Sequence, residues 1–183
     1  MITYIAILRG INVSGQKKIK MADLRELLNN SGLEDLQTYI QSGNIIFKSS
    51  QRDSSKLAQL IKSKISEHYD FEVPVIIRDG EDWQSAIARN PFTEEKEGVD
   101  LQRVGVTFLE NEPNRNLVSE IEERDYSPDE FVIDGKEIYL HCPTGFGKTK
   151  LTNNFFESKL KVTATTRNWK TVNTLIAMAG EQD

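Results

Sequence analysis

Two loops hold the residues of this sequence that are best suited to binding chemistry, because each combines glycines with cations. The first covers residues 9–18 and reads Arg-Gly-Ile-Asn-Val-Ser-Gly-Gln-Lys-Lys, and the second covers residues 145–150 and reads Gly-Phe-Gly-Lys-Thr-Lys. A glycine-containing loop that leads into a helix exposes backbone N–H groups at the positive end of the helix dipole. Both loops are therefore candidates for binding phosphate or another anion, although an ordinary strand-to-helix loop with solvated lysines has the same composition.

The second loop has only a superficial similarity to an ATP-binding P-loop. That motif requires a glycine five residues before Gly147, but Cys142 stands there, and Pro143 occupies a place where a backbone N–H should donate. The fold predicted below also lacks the parallel βαβ setting of the motif. The sequence therefore does not favour ATP hydrolysis at this loop.

Residues of the common catalytic sets do not combine in this sequence. His141 and Cys142 are neighbours, so in a strand their side chains point to opposite faces and cannot form a dyad. One cysteine and two separated histidines give no metal-ligand spacing. Adjacent carboxylates are more typical of a solvated surface than of an acid/base pair, and they occur at Glu94-Glu95, Glu122-Glu123 and Asp129-Glu130. The sequence thus predicts no metal or cofactor and leaves open whether the protein is an enzyme.

The charge of the chain argues against a protein that coats DNA or RNA. The net charge is −5 at pH 7, whereas nonspecific affinity for nucleic acid comes from Lys and Arg that neutralise phosphates. The charge is unevenly distributed, with +3 on residues 1–78, −11 on residues 79–137 and +5 on residues 138–180. An acidic middle between two basic flanks indicates separate surfaces, although a solvated charged face is the more common explanation of the acidic part. Nucleic acid is a possible partner that the net charge disfavours.

The apolar runs of the sequence are too short for a membrane partner. A spanning helix needs ~18 apolar residues, whereas a typical run here covers residues 4–8. The first residues start a strand and lack the charged region of a secretion signal. Cys142 is the only cysteine, so no intrachain disulfide can form, which fits a reducing compartment. We expect a cytoplasmic protein.

Hydrophobic periodicity predicts the element order βαββαβα twice along the chain. Gly and Asn or Asp between short β-branched runs predict hairpins at Ser42-Gly43-Asn44 and at Asp134-Gly135. The last strand is predicted at residues 160–164, which places Arg167 in the first turn of the final helix. Trp83 and Trp169 are predicted to begin equivalent helices. Right-handed connections between such units predict an α+β fold of two ferredoxin-like βαββαβ repeats, each followed by a helix, in domains 1–92 and 93–183.

This topology predicts that polar residues converge at two places. Strands one and two of a repeat run in the same direction, so the loop after strand one lies beside the hairpin after strand two. In the first repeat this groups six candidate ligand-binding residues: Arg9, Asn12, Lys18, Lys20, Gln41 and Asn44. In the second repeat the loop after strand three lies near the exit from strand four, which groups Lys148, Arg167 and Asn168 as a second candidate anion site.

Several segments of the chain resemble the signatures of the bacterial domain of unknown function 1697. The matching segments are Leu8-Arg9-Gly10-Ile11-Asn12-Val13, Lys20-Met21 with Leu24, Thr38-Tyr39-Ile40-Gln41-Ser42-Gly43-Asn44, and Thr165-Thr166-Arg167-Asn168-Trp169 with Thr171-Val172. Ser14 departs from the family, which usually has glycine there. The resemblance implies a compact α+β protein and supplies no activity, although its motifs coincide with the two predicted sites.

Three functional hypotheses follow from these observations. The first is a noncatalytic binding module for an anionic, phosphate-bearing small molecule, a nucleotide or a short nucleic-acid segment. The second is an enzyme that acts on a phosphorylated substrate, for which no acid or base can be assigned. The third is a structural or interaction protein that uses open sheet faces. The sequence leaves the oligomeric state and the identity of the ligand open.

Overall fold

Two four-stranded antiparallel sheets organise the chain in the computed structural model, which describes residues 1–93 and 98–181. The first repeat contains β1 (Ile2–Leu8), α1 (Met21–Leu28), β2 (Glu34–Tyr39), β3 (Asn44–Ser49), α2 (Ser54–Tyr69), β4 (Val75–Asp79) and α3 (Gly80–Ala88). After a short 3-10 helix at Leu101–Arg103, the second contains β5 (Val104–Leu109), α4 (Arg115–Glu122), β6 (Glu130–Asp134), β7 (Glu137–His141), α5 (Asn153–Leu160), β8 (Ala164–Asn168) and α6 (Trp169–Gly180). The predicted pair Glu94-Glu95 lies outside the described residues.

The strand orders are β2-β3-β1-β4 and β6-β7-β5-β8, so the two sheets have the same topology. The strands and crossovers are those of two ferredoxin-like βαββαβ repeats, each followed by a helix, which confirms the predicted fold class. Both predicted hairpins are present, joining β2 to β3 and β6 to β7.

The chain divides into two compact units, and their limits differ from those of the two repeats. Unit 1 contains Met1–Ser85 and the chain from Thr174 onward, and unit 2 contains Ala86–Asn173. The beginning of α3 therefore belongs to unit 1 and its end to unit 2, whereas α6 begins in unit 2 and ends in unit 1. The domain limits 1–92 and 93–183 stay a prediction.

Each sheet packs two helices on one face. In unit 1, Tyr4, Ala6 and Leu8 on one face of β1 form a core with residues of α1 and α2 such as Leu24 and Ile61. The odd residues of β1 on the opposite face are buried as well, which explains why the strand is apolar throughout. In unit 2, Leu109, Ile138, Leu140 and Cys142 form the corresponding core with α4 and α5 residues Ile121, Phe156 and Leu160.

The helix starts follow the expected capping chemistry. Asp53 caps the start of α2, because its carboxylate accepts from the backbone N–H groups of Ser55 and Lys56. Thr152 begins α5 by accepting from the N–H of Phe155.

No helix in the described part of the chain is long and apolar enough to cross a membrane.

The position of the last strand differs from the prediction. Residues 153–160 form α5, and Lys161 ends it with a left-handed backbone (φ 57°), so β8 cannot start before the chain has turned. Leu160 lies on the buried face of that helix, and Ala164–Asn168 forms the strand by pairing with β5. Arg167 therefore lies within a strand and not in the first turn of α6.

The registers of the two sheets identify equivalent positions. Tyr4 pairs with Asp79 as Gly105 pairs with Asn168, and the arginines before these partners, Arg78 and Arg167, are equally buried. Asp79 and Asn168 each accept a hydrogen bond from the backbone N–H three residues later. The helices α3 and α6 are thus equivalent, but Trp83 is the fourth residue of one and Trp169 the first residue of the other.

Candidate functional site

The loop after β1 and the hairpin after β2 meet in unit 1, as the topology predicts. The backbone N–H of Leu8 donates to the carbonyl of Gly43 (2.8 Å). Asn12 joins the same two segments, because its Nδ2 donates to the carbonyls of Gln41 (2.7 Å) and Ile19 (2.9 Å). The N–H of Ile19 donates to Asn12 Oδ1. Asn12 therefore binds the loop to the hairpin, which gives this candidate ligand residue a structural role.

Asn44 also serves the local structure of this hairpin. Its side chain is fully buried, and Nδ2 donates to the carbonyl of Tyr39 (2.8 Å) and to Ser42 Oγ (3.1 Å). Gly43 lies so close to the loop that an added Cβ would stand 2.6 Å from Ile11 Cδ1. The hairpin and the loop are thus packed together tightly.

The remaining candidate residues of the first site differ in their exposure. Lys18 and Lys20 are exposed and flank Ile19, which is buried. Lys20 precedes α1 and provides no side-chain cap for it. Arg9 is half-buried, and Gln41 is exposed at the hairpin. Lys18 and Lys20 precede α1 directly, whereas the backbone N–H of Arg9 donates to the carbonyl of Pro74 (2.9 Å).

A cavity of about 340 Å³ lies in unit 2 beside the second predicted site. The cavity lies where the loop after β7 approaches the end of β8, as expected from the topology. Its lining combines an aromatic and an aliphatic residue with five polar residues: Phe146, Leu151, Thr149, Thr152, Asn153, Thr166 and Asn168. Of the predicted ligand residues, Asn168 lines this cavity.

Lys148 and Arg167 occupy different surroundings from Asn168. Lys148 is exposed on the loop between the lining residues Phe146 and Thr149. Arg167 is buried, and its Nη1 donates to Thr165 Oγ1 (2.9 Å) and to the carbonyl of Thr166 (3.0 Å). Because neighbouring strand residues alternate between faces, Arg167 points away from the face that carries Thr166 and Asn168. The prediction that Arg167 is ordered by contacts agrees with this burial.

The Phe146 ring occupies the place that a side chain at position 105 of β5 would take. A Cβ at Gly105 would stand 2.9 Å from Phe146 Cζ and 3.1 Å from the carbonyl oxygen of Arg167. The tip of the Phe146 ring therefore rests on the bare backbone of β5, on the sheet face that α4 and α5 cover. Phe146 forms one wall of the cavity from this position.

Hydrogen bonds within unit 2 orient the polar wall. The hydroxyls of Thr107 and Thr166 are 2.6 Å apart, and Thr166 Oγ1 donates to Asn153 Oδ1 (2.7 Å). Because the one hydroxyl proton of Thr166 is used toward Asn153, the Thr107 hydroxyl donates to Thr166 Oγ1. Asn168 Oδ1 accepts from the N–H of Thr171 (2.8 Å), which turns its Nδ2 group outward from α6.

These hydrogen bonds use acceptor atoms of the polar wall and leave donor protons available to a ligand. Thr152 accepts from the N–H of Phe155 and keeps its hydroxyl proton, while Asn153 and Asn168 each use their oxygen and keep two Nδ2 protons. Thr149 differs, because it accepts from Leu151 and also hydrogen-bonds the thiol of Cys142. The wall formed by Thr152, Asn153 and Asn168 therefore favours a ligand rich in acceptor oxygens.

Another cavity of comparable size has the opposite character. It measures about 330 Å³ in unit 1, and the polar part of its lining includes the carboxylates Asp79 and Glu81. Asp79 Oδ1 accepts from the N–H of Asp82 and caps α3. Negative charge makes this cavity unsuitable for an anionic ligand, so the unit 2 cavity is the better candidate.

The thiol of Cys142 is a titratable group in contact with the lining residue Thr149. Burial raises the pKa of the Cys142 thiol, although its hydrogen bond with Thr149 opposes the shift, so the reactive thiolate is disfavoured. His141 pairs instead with Glu130, 2.9 Å from Nδ1 to Oε2. Among the described residues no group of three His, Cys, Asp or Glu side chains could hold a metal ion.

Sequence reasoning missed most of the cavity wall. Thr166 was recognised only as part of a motif, and Gly105, Phe146, Thr152 and Asn153 were not assigned to a ligand. A signal was available in the alignment of the two repeats, since Gly105 stands where the first repeat has Tyr4. An aromatic-to-glycine difference in the central strand indicates that another segment, here the loop that carries Phe146, packs over the strand.

Comparisons with known proteins give a family without an assigned activity. Residues 1–139 match the family described as "Protein of unknown function (DUF1697)". The structure is similar to that of the conserved bacterial protein SP0830 from Streptococcus pneumoniae, with 26% sequence identity, a TM-score of 0.78, and coverage of 97% of this chain and 98% of that chain. No curated protein matches the sequence. Because the match extends over well more than half of its residues, this chain belongs to the DUF1697 family.

Proposed function

We propose that this protein is a noncatalytic binding module for an anionic, phosphate-bearing small molecule or nucleotide, and that the unit 2 cavity holds this ligand. The observation that carries the proposal is the donor pattern of Thr152, Asn153 and Asn168, whose acceptors are used within the protein. Ionised phosphate oxygens carry no proton and can only accept hydrogen bonds, so they complement a wall of donors.

The electrostatic surroundings of the cavity support an anion. Thr152 caps α5 and Asn153 is its first residue, so both lie where the helix dipole contributes partial positive charge. Lys148 and Lys150 are exposed on the adjoining loop, and residues 138–180 carry a net charge of +5. A phosphate bound to the donor wall would lie near both sources of positive charge.

The composition of the lining supports binding over catalysis. The described lining residues are one Phe, one Leu, three Thr and two Asn, and none of these side chains is a general acid or base near neutral pH. The proposal also places the protein in the cytoplasm, where the free thiol of Cys142 fits a reducing environment. Contacts from Arg9, Lys18, Lys20 and Gln41 to a ligand stay a prediction.

Thermal unfolding with phosphate compounds tests this proposal. The compounds are inorganic phosphate, ribose 5-phosphate, adenosine monophosphate and uridine monophosphate. A ligand that binds the folded state at 100 times its Kd stabilises by about 2.7 kcal/mol. For a chain of this size, that free energy raises Tm by roughly 5 to 10 °C.

A pair of charge variants locates the site. Asn153→Asp places a carboxylate in the cavity wall, and Asn154→Asp places the same charge at the next residue, which is exposed and does not line the cavity. Asp is favourable at both positions of a helix start, so both variants should fold. We expect Asn153→Asp to weaken phosphate-compound binding at least tenfold and Asn154→Asp to change it less than threefold. Equal effects of the two variants, or no Tm shift with any compound, would show the proposal to be wrong.

A further inference from the structure

The difference between the two repeats carries an inference about the class of ligand, which rests on the proposed function. We infer that the ligand is a nucleoside monophosphate, with its base against Phe146 and its phosphate at the donor wall formed by Thr152, Asn153 and Asn168. The inference depends on how unit 2 departs from unit 1 at equivalent positions of the sheet.

In unit 1 the position equivalent to Gly105 carries an aromatic side chain of the strand itself, Tyr4. The Tyr4 ring is 2% exposed and lies 5.7 Å from the Phe47 ring, and its hydroxyl donates to the carbonyl of Gln51 in the segment before α2 (2.9 Å). The neighbouring positions Ala6 and Ile77 are apolar and buried. An aromatic side chain from the central strand thus closes the region between the sheet and the start of α2.

Unit 2 replaces this packing at each equivalent position. The register aligns Tyr4 with Gly105, Ala6 with Thr107, Ile77 with Thr166 and Asp79 with Asn168. One ring is lost from the strand, two apolar side chains become hydroxyls, and one carboxylate becomes a neutral amide. Phe146, from the loop after β7, takes the place of the lost ring and so becomes a wall of the cavity. The hydroxyls orient Asn153, and loss of the carboxylate removes a charge that would repel a phosphate.

The walls of the resulting cavity have two different characters. Phe146 and Leu151 form the apolar part, and Thr152, Asn153 and Asn168 form the donor part. A free phosphate or a sugar phosphate would use only the donor part. A nucleotide uses both, because its base can stack on an aromatic side chain while its phosphate accepts from the donors. The shape of the wall therefore favours a ligand with a planar ring at one end and an anion at the other.

The size of the cavity favours a single nucleotide. A volume of about 340 Å³ lies at the small end of ligand pockets, which range over about 300 to 1,000 Å³. This is room for one base and its sugar with the phosphate at the rim, and it is too small to enclose a dinucleotide. The ligand is therefore a monomeric nucleotide in preference to a two-base cofactor.

Calorimetric titration of the full chain with four named probes tests the inference. The probes are adenosine monophosphate, uridine monophosphate, ribose 5-phosphate and inorganic phosphate. Removal of one aromatic stacking partner costs about 1–3 kcal/mol per base, or roughly fivefold to 150-fold in affinity. We expect at least one monophosphate to bind at least tenfold more tightly than ribose 5-phosphate. Phe146→Leu should abolish that difference, with no change in the affinity for ribose 5-phosphate.

Two further variants keep the test decisive. Phe155→Leu is the matched control, because Phe155 is a half-buried phenylalanine of the same unit that packs against Tyr126 and Phe156 and does not line the cavity. Gly105→Ala displaces the Phe146 ring without deleting it, so it should also weaken nucleotide binding. This variant serves as the test if Phe146→Leu does not fold. Equal affinities for ribose 5-phosphate and the nucleotides, or full nucleotide affinity in Phe146→Leu, would overturn the inference and leave the proposed function standing. Absence of binding by all four probes would overturn both.

Discussion

Substitution of Gly105 by alanine should destabilise the protein through a specific collision with Phe146. The added Cβ would stand 2.9 Å from Phe146 Cζ, whereas carbon atoms in ordinary contact are about 3.5–4.0 Å apart, so the shortfall is at least ~0.6 Å. The same Cβ would stand 3.1 Å from the backbone oxygen of Arg167. The ring and, to a smaller extent, strand β8 must therefore move.

The size of the effect follows from two opposing contributions. Overpacking of a well-packed site costs about 1–3 kcal/mol. Gly→Ala at a position without positive φ stabilises the folded state by about 0.4–1 kcal/mol, because alanine lowers the conformational entropy of the unfolded chain. We therefore expect Gly105→Ala to lower the free energy of unfolding by about 1–2 kcal/mol, which corresponds to a fall in Tm of roughly 2–8 °C.

A double-mutant cycle assigns this cost to Phe146. Phe146→Ala removes the ring, so Gly105→Ala should cost at least ~1 kcal/mol less in the Phe146→Ala background than in the natural sequence. Denaturant unfolding of the four proteins measures this coupling. Gly147→Ala is the control, because its added Cβ meets nothing within 4 Å. Equal costs of Gly105→Ala in both backgrounds would refute the assignment of the clash to Phe146.

Two further predictions concern packing in unit 1 and titration in unit 2. Gly43→Ala should lower the free energy of unfolding by about 2–4 kcal/mol, because it combines a positive φ of 84° with a Cβ that would stand 2.6 Å from Ile11 Cδ1. Gly10→Ala is its control, since its φ is 73° but its Cβ meets nothing within 4 Å, and denaturant unfolding should give a cost at least ~1 kcal/mol smaller. Burial raises the pKa of the Tyr139 hydroxyl to about 12 from its ordinary value of 10.0. Because the unfolded state loses this proton first, the free energy of unfolding should fall between pH 10 and 12, by up to about 2–3 kcal/mol. Tyr139→Phe should remove that part of the alkaline destabilisation, as measured by unfolding at a series of pH values. The substitution should cost little stability at pH 7, because the buried hydroxyl has no hydrogen-bond partner among the described residues. Identical alkaline profiles of both proteins would contradict this account.

Local chemistry made the hairpins and several helix starts predictable. Gly43 and Gly135 have positive φ in the structure, and a residue that tolerates this conformation marks a turn without reference to the rest of the chain. Asp53 caps α2 through N–H groups two and three residues away, which is also a local property. The topological argument that strands one and two are parallel placed Asn12 beside Gln41 correctly.

Strand β8 shows where local reasoning ended. Ala-Thr-Thr-Arg-Asn is a polar segment, and the feature that makes it a strand is its pairing with β5, more than 50 residues earlier in the chain. Arg167 was consequently assigned to a helix, although strand alternation turns its side chain away from Asn168. The roles of Asn12 and Asn44 as structural hydrogen-bonding residues also depend on partners from other segments.

The sequence by itself determined the two repeats, their element types and the two loops where polar residues gather, because periodicity, turn residues and capping act over a few neighbouring residues. The tertiary structure alone decided that the second gathering is a cavity. Phe146 becomes a wall of that cavity because its ring rests on the bare backbone at Gly105, and Thr166 and the start of α5 complete the lining. Likewise, the donor character of Thr152, Asn153 and Asn168 arises because folding brings a partner to each acceptor, and that pairing is a property of three dimensions.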